Sequence, residues 1–140
     1  MSLRVFAWAI LAFLALAACS LDGQASVWEQ AKLTGVEFRA TGNEPGLHLE
    51  IRDDLETRTG KRILFVYDYG QGEAVLHTSG PVVEEDIKHT TYRGENDEQW
   101  IVIEIQGDRC SDSMSGEVFE SAVKVEFQGK TYRGCGRTLH

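Results

Sequence analysis

The densest cluster of reactive side chains is "RCSDSMSG", residues 109–116, with one thiol, three hydroxyls and one carboxylate in eight positions. Three chemistries compete for it. A serine nucleophile wants a G-x-S-x-G elbow between a strand and a helix. "SMSG" has no such setting, because no helical pattern follows it. A triad drawn from distant parts would take its base from His48, His77 or His89, and no spacing points to one. Zinc would need a four-ligand set, and neither a CxxC nor an HxxxH pattern is present. The third reading is structural: Asp112 and the serines bond nearby backbone amides in Asx- and Ser-type turns, with Met114 packed inward.

Two further groups have ligand character. His48 and Glu50 lie two apart on the polar face of one strand, a spacing that can hold a metal edge-on. A solvated His/Glu pair is the commoner arrangement. The acidic run "EEDIK", residues 84–88, lacks the ordered oxygen spacing of a calcium loop and reads as a solvated loop. No cofactor is expected.

The remaining cysteines decide whether Cys110 is free. "MSLR" carries one positive charge, and residues 5–18 follow as an uncharged apolar run. That is a secretory signal, too short for the roughly twenty residues of a spanning helix. It ends in "LAAC", residues 16–19, which resembles a bacterial lipobox with Cys19 as the acylated residue. Ordinary cleavage after residue 17 would instead leave Cys19 as an unpaired thiol in an oxidising compartment. With Cys19 acylated, Cys110 and Cys135 remain, and a disulfide between them is expected. Closing a loop of about 25 residues contributes roughly 3–3.5 kcal/mol. Neither thiol is then available for catalysis.

Residues 1–18 thus read as a signal peptide, 19–32 as lipid anchor and tether with room for a helical turn in "SVWEQAK", and 33–140 as a single β-domain. The chain without its signal has 13 basic and 22 acidic side chains, a formal charge of −9. Nucleic acid and anionic lipid surfaces are poor partners for it; a basic partner, or simple solubility, fits.

The elements that must position these residues have a hydrophobic period of two. Val36, Phe38 and Ala40 alternate with polar neighbours, as do Leu47, Leu49 and Ile51, and Ile101, Ile103 and Ile105. "RILFVYDY" is apolar on both faces, as for a strand with a covered outer side. Between the first two strands, "GNEPG" reads as a type II turn with Pro45 second and Gly46 third at positive φ. About eight strands at short spacing predict an all-β fold, a small antiparallel barrel or sandwich with one disulfide. A barrel of this size is filled by side chains or holds one small ligand.

"FRATGNEPG", "CSDSMSG" and "GKTYRGCGR" together resemble a family of small bacterial envelope lipoproteins. Those carry an N-E-P turn near the mature N-terminus, a C-S-D-x-M-S segment and a terminal Y-x-G-C. Where relatives often place an aromatic residue after the N-E-P turn, this chain has Leu47. The resemblance implies a lipid-anchored β-domain without a settled activity, and Ser20 after the cysteine suggests the outer membrane, facing the periplasm. Size, late disulfide and lipobox are also similar to membrane-bound inhibitors of c-type lysozyme. The first expectation is therefore a non-enzymatic binding or envelope-maintenance module whose two loops converge, with Asn43, Glu44, Asp112 and Ser113 as polar contacts. A lysozyme inhibitor is the alternative, and an enzyme of unassigned reaction the third.

Overall fold

The computed structural model describes residue 23 and residues 25–140. Cys19 and the signal segment lie outside the described residues. A helix α1 (Val27–Leu33) precedes strands β1 (Val36–Asn43), β2 (Gly46–Asp53), β3 (Lys61–Tyr67), β4 (Gly72–Thr78), β5 (Pro81–Glu84) and β6 (His89–Glu95). Then come β7 (Trp100–Gln106), β8 (Cys110–Ser111), β9 (Val118–Phe119), β10 (Ser121–Phe127) and β11 (Lys130–Thr138).

Each long strand pairs antiparallel with the next, β11 returns to β1, and β4 meets β6 at His77 opposite Glu95. The result is a closed eight-stranded antiparallel barrel, which decides between the barrel and the sandwich. β5 covers more of the outer edge of β6, and β8 with β9 forms a separate two-stranded ribbon. Of these, β5 and the ribbon were not legible as strands in the sequence.

The alternation predicted from sequence sets the wall. Leu47, Leu49 and Ile51 of β2 point inward, while His48, Glu50 and Arg52 between them are less buried. β7 and β10 follow the same rule through Ile101, Ile103, Ile105, Val123, Val125 and Phe127. In β3 only Ile63 and Phe65 are fully buried; Leu64 and Val66 are half-exposed, so its outer side is only partly covered. Phe65 fills the middle of the barrel, edge-on to Phe127 at 5.1 Å and to Tyr132 at 5.2 Å. Truncating a phenylalanine at such a site costs about 3–5 kcal/mol. Outside, Lys124 pairs with Glu104 at 3.1 Å and Glu126 at 2.8 Å. A charged wall around an apolar interior faces water, the inverse of a membrane-spanning barrel.

α1 is specified locally. The Ser26 hydroxyl accepts from the Glu29 amide, and the Glu29 carboxylate accepts from the Ser26 amide, a complete capping box. Its Trp28 ring lies between the guanidinium groups of Arg39 and Arg137, at 4.5 and 4.6 Å, and 5.4 Å from Phe119. Residues 27–32, expected as tether, therefore pack on the barrel. The segment looked polar and mixed because one ring does the anchoring, and its partners come from β1, β9 and β11.

The first hairpin turn also differs from expectation. The Glu44–Pro45 peptide is cis and Asn43 pairs with Gly46, so Pro45 stands third in the turn, and Gly46 is not at positive φ. Gly46 is required for another reason: a Cβ there would lie 2.5 Å from the Tyr69 ring.

Candidate functional site

β1 and β11 stay in register as far as Thr41 opposite Cys135. Just beyond, a Cβ on Gly134 would lie 2.2 Å from the Thr41 carbonyl oxygen, and one on Gly42 would lie 2.3 Å from that of Arg133. Two glycines thus let the strands approach and leave a shallow place on the wall. The Cys110–Cys135 disulfide, with 5.5 Å between Cα atoms, fastens the ribbon beside it.

Asn43 Nδ2 donates to Asp112 Oδ2 at 2.9 Å, across 69 residues of chain. The two loops expected to converge do so. Asp112 Oδ1 accepts from the amides of Met114 and Ser115, both at 2.8 Å. Those amides, Ser115 first, hold the Asp112 carboxyl below its ordinary value. The backbone of Asp112 closes the same turn, donating to the Glu117 carbonyl at 2.8 Å and accepting from Gly116 at 2.9 Å. The Tyr69 hydroxyl donates to the Asn43 carbonyl. Between the loops lies a cleft of about 230 Å³. Glu44, Ser111, Ser113 and Arg133 line it with exposed side chains.

The Asx-type reading of "CSDSMSG" holds, with one correction. Met114 is 77% exposed rather than packed inward, because the turn closed by Asp112 carries it away from the wall.

His48 and Glu50 share an outer face with two arginines. His48 Nε2 lies 3.0 Å from Glu50 Oε1, Arg39 reaches His48 Nδ1 at 3.1 Å, and Arg52 donates to Glu50 Oε2 at 2.7 Å. Burial, then the Arg39 charge, lowers the His48 pKa. Burial also lowers that of Arg39, against the pull of Glu50. With these bonds the pair is built into an ion-pair cluster. Among the described residues no group of three or more His, Cys, Asp or Glu side chains is arranged to hold a metal ion.

Sequence reasoning missed the Asp54–His77 pair. Asp54 is 3% exposed, accepts from the amides of Glu56 and Thr57, and lies 2.7 Å from His77 Nδ1. Its pKa is lowered to about 2, chiefly by the Thr57 hydroxyl against the opposing effect of burial. The available signal was "DLET", an aspartate followed at short range by turn-forming polar residues. Its partner lies 23 residues away and was not visible. The pair ties the β2–β3 loop to β4 beside the point where the barrel closes.

Compared with family models, with curated proteins and with solved structures, this chain matches none.

Proposed function

We propose that this is a lipid-anchored binding module of the bacterial envelope, held by Cys19 at the outer membrane and facing the periplasm. It presents the rim formed by Glu44, Ser111 and Ser113 to a protein partner. The observation that carries this reading is the Asn43–Asp112 hydrogen bond beside the disulfide, which holds two distant loops as one edge. A preorganised edge binds without a large ordering cost. The cleft of about 230 Å³ is open and below the roughly 300–1,000 Å³ usual for small-molecule sites. That size suits a side chain or loop of a partner. Asp112 spends its carboxylate on its own turn, which argues against a catalytic role for it. The disulfide supports an oxidising compartment. The formal charge of −9 without the signal favours a basic partner, approached by electrostatic steering.

The test uses lysozyme as the basic probe, with the full chain and its disulfide intact. Binding is expected at low salt, falling steeply toward physiological salt. Glu44→Lys should weaken it by about tenfold or more. Accompanying inhibition of the enzyme would select the lysozyme-inhibitor reading. Absence of binding at low salt, or indifference to Glu44→Lys, would remove lysozyme as a partner of this rim.

A further inference from the structure

The other candidate for a ligand lies at the barrel mouth where β1, β6 and β10 begin and β7 and β11 end. A cleft of about 450 Å³ opens there, within the range of small-molecule sites. Phe38 and Ile105 give it an apolar floor, and Tyr92, Ser121, Thr90 and Glu37 line it.

Tyr92 is 9% exposed and Ser121 7% exposed. No protein hydrogen bond is made by either hydroxyl, or by that of Thr90, among the described residues. Among the described residues the fully buried side-chain polar atoms without a partner are Arg39 Nε and Arg52 Nε, so these three hydroxyls are reached by solvent. Three hydroxyls without a protein partner, gathered in one concavity, are free to bond a ligand in place of water.

Glu37 is placed by an irregularity. The β1–β2 register shifts between Val36 and Phe38, both of which are buried, leaving Glu37 as the extra residue. Bulges at barrel rims re-aim a side chain in this way. Both Glu37 oxygens accept from Lys61 Nζ, at 2.8 and 2.7 Å, so the carboxylate enters the site paired. Burial, reinforced by the Glu37 charge, keeps the Tyr92 phenol protonated by raising its pKa.

We infer that this mouth binds a neutral sugar ring, with the hydroxyls of Tyr92, Ser121 and Thr90 bonding its hydroxyl edge and Phe38 and Ile105 meeting its C–H face. Hydroxyls both donate and accept, which matches a polyol and gives little advantage to an ion. Glu37 and Asp53 share Lys61 Nζ, and Lys88 in the lining offsets the carboxylate charge left over, so the mouth offers acceptors without a net formal charge. This site is separate from the rim at Glu44, and its test involves no protein partner, so failure here leaves the rim reading standing.

The experiment titrates the full chain with glucose, N-acetylglucosamine and the β-1,4-linked N-acetylglucosamine trimer. Amide NMR shifts of Phe38, Thr90, Tyr92, Ile105 and Ser121 report binding. Saturable shifts confined to these positions are expected. Tyr92→Phe and Ser121→Ala should each weaken binding roughly three- to tenfold. Both remove a hydroxyl without a protein partner, and unchanged unfolding midpoints check that the variants fold. Tighter binding of the trimer assigns the mouth to a glycan chain, and equal binding to a free sugar. No shifts with any sugar at roughly 50 mM, where a millimolar site would be saturated, or affinity indifferent to both variants, overturns the inference.

Discussion

The rim beside the disulfide and the mouth of the barrel use polar groups in opposite ways. The Asp112 carboxylate accepts three hydrogen bonds from the protein, and Asn43 is held at both its side-chain amide and its backbone carbonyl. Tyr92 and Ser121 are more deeply buried, yet their hydroxyls meet no protein partner among the described residues. A polar group bonded within the fold builds structure; one left facing a cleft is completed by water or by a ligand that takes the water's place. The rim is therefore a rigid frame whose binding surface is its exposed margin. The mouth is a concavity whose binding surface is its interior.

The largest break in this comparison comes from the covalent bond. Replacing Cys110 and Cys135 together by serine removes closure of a loop spanning 25 residues. In the chain-entropy model this costs about 3–3.5 kcal/mol, read from urea unfolding midpoints. The rim should loosen, with lost amide-exchange protection at Met114 and Ser115, while sugar binding at the mouth persists. Equal loss at both places would mean that they are one cooperative unit.

The second break is acid. Asp54 has a folded-state pKa of about 2 against an ordinary value of 3.8, so its contribution to stability is present above that ordinary value. It is lost as pH falls toward about 2, since the unfolded chain then takes up the proton more readily. Unfolding midpoints of the wild type should drop between about pH 5 and pH 2. For Asp54→Asn the drop should be shallower, so the two proteins converge as pH falls. A constant gap between them would assign the acid sensitivity to other carboxylates.

How much of this was legible depended on the range of each interaction. The barrel wall follows from a period of two, a local property, and β2, β7 and β10 show it plainly. The disulfide followed from counting cysteines once Cys19 was assigned to lipid. The convergence of "NEP" with "CSDSMS" was expected from the linked motifs, but its mechanism, an Asn43–Asp112 bond, was a tertiary fact. Trp28 escaped because a single aromatic in a polar segment declares no periodicity; only Arg39 and Arg137, on strands far along the chain, make it an anchor. The mouth escaped for the same reason. Thr90, Tyr92 and Ser121 each look like an ordinary strand residue, and Glu37 looks like an outward position until the bulge turns it. Alternation predicts which face a residue takes, and a bulge is a local failure of that rule.

The smallest expected effect is also the sharpest test of the contrast. Asn43→Ala deletes the donor to Asp112 Oδ2 and leaves a partly buried acceptor unpaired, at a cost of about 1 kcal/mol. Tyr92→Phe deletes a hydroxyl with no protein partner among the described residues, so stability should change by less than about 0.5 kcal/mol. Both are read from the same unfolding curves. A Tyr92→Phe cost equal to that of Asn43→Ala would mean that the phenol holds the fold through its hydrogen bonds, as Asn43 does, and is not held ready for a ligand. The difference between the two substitutions, more than either value, separates a polar group that holds the fold from one held ready for a ligand.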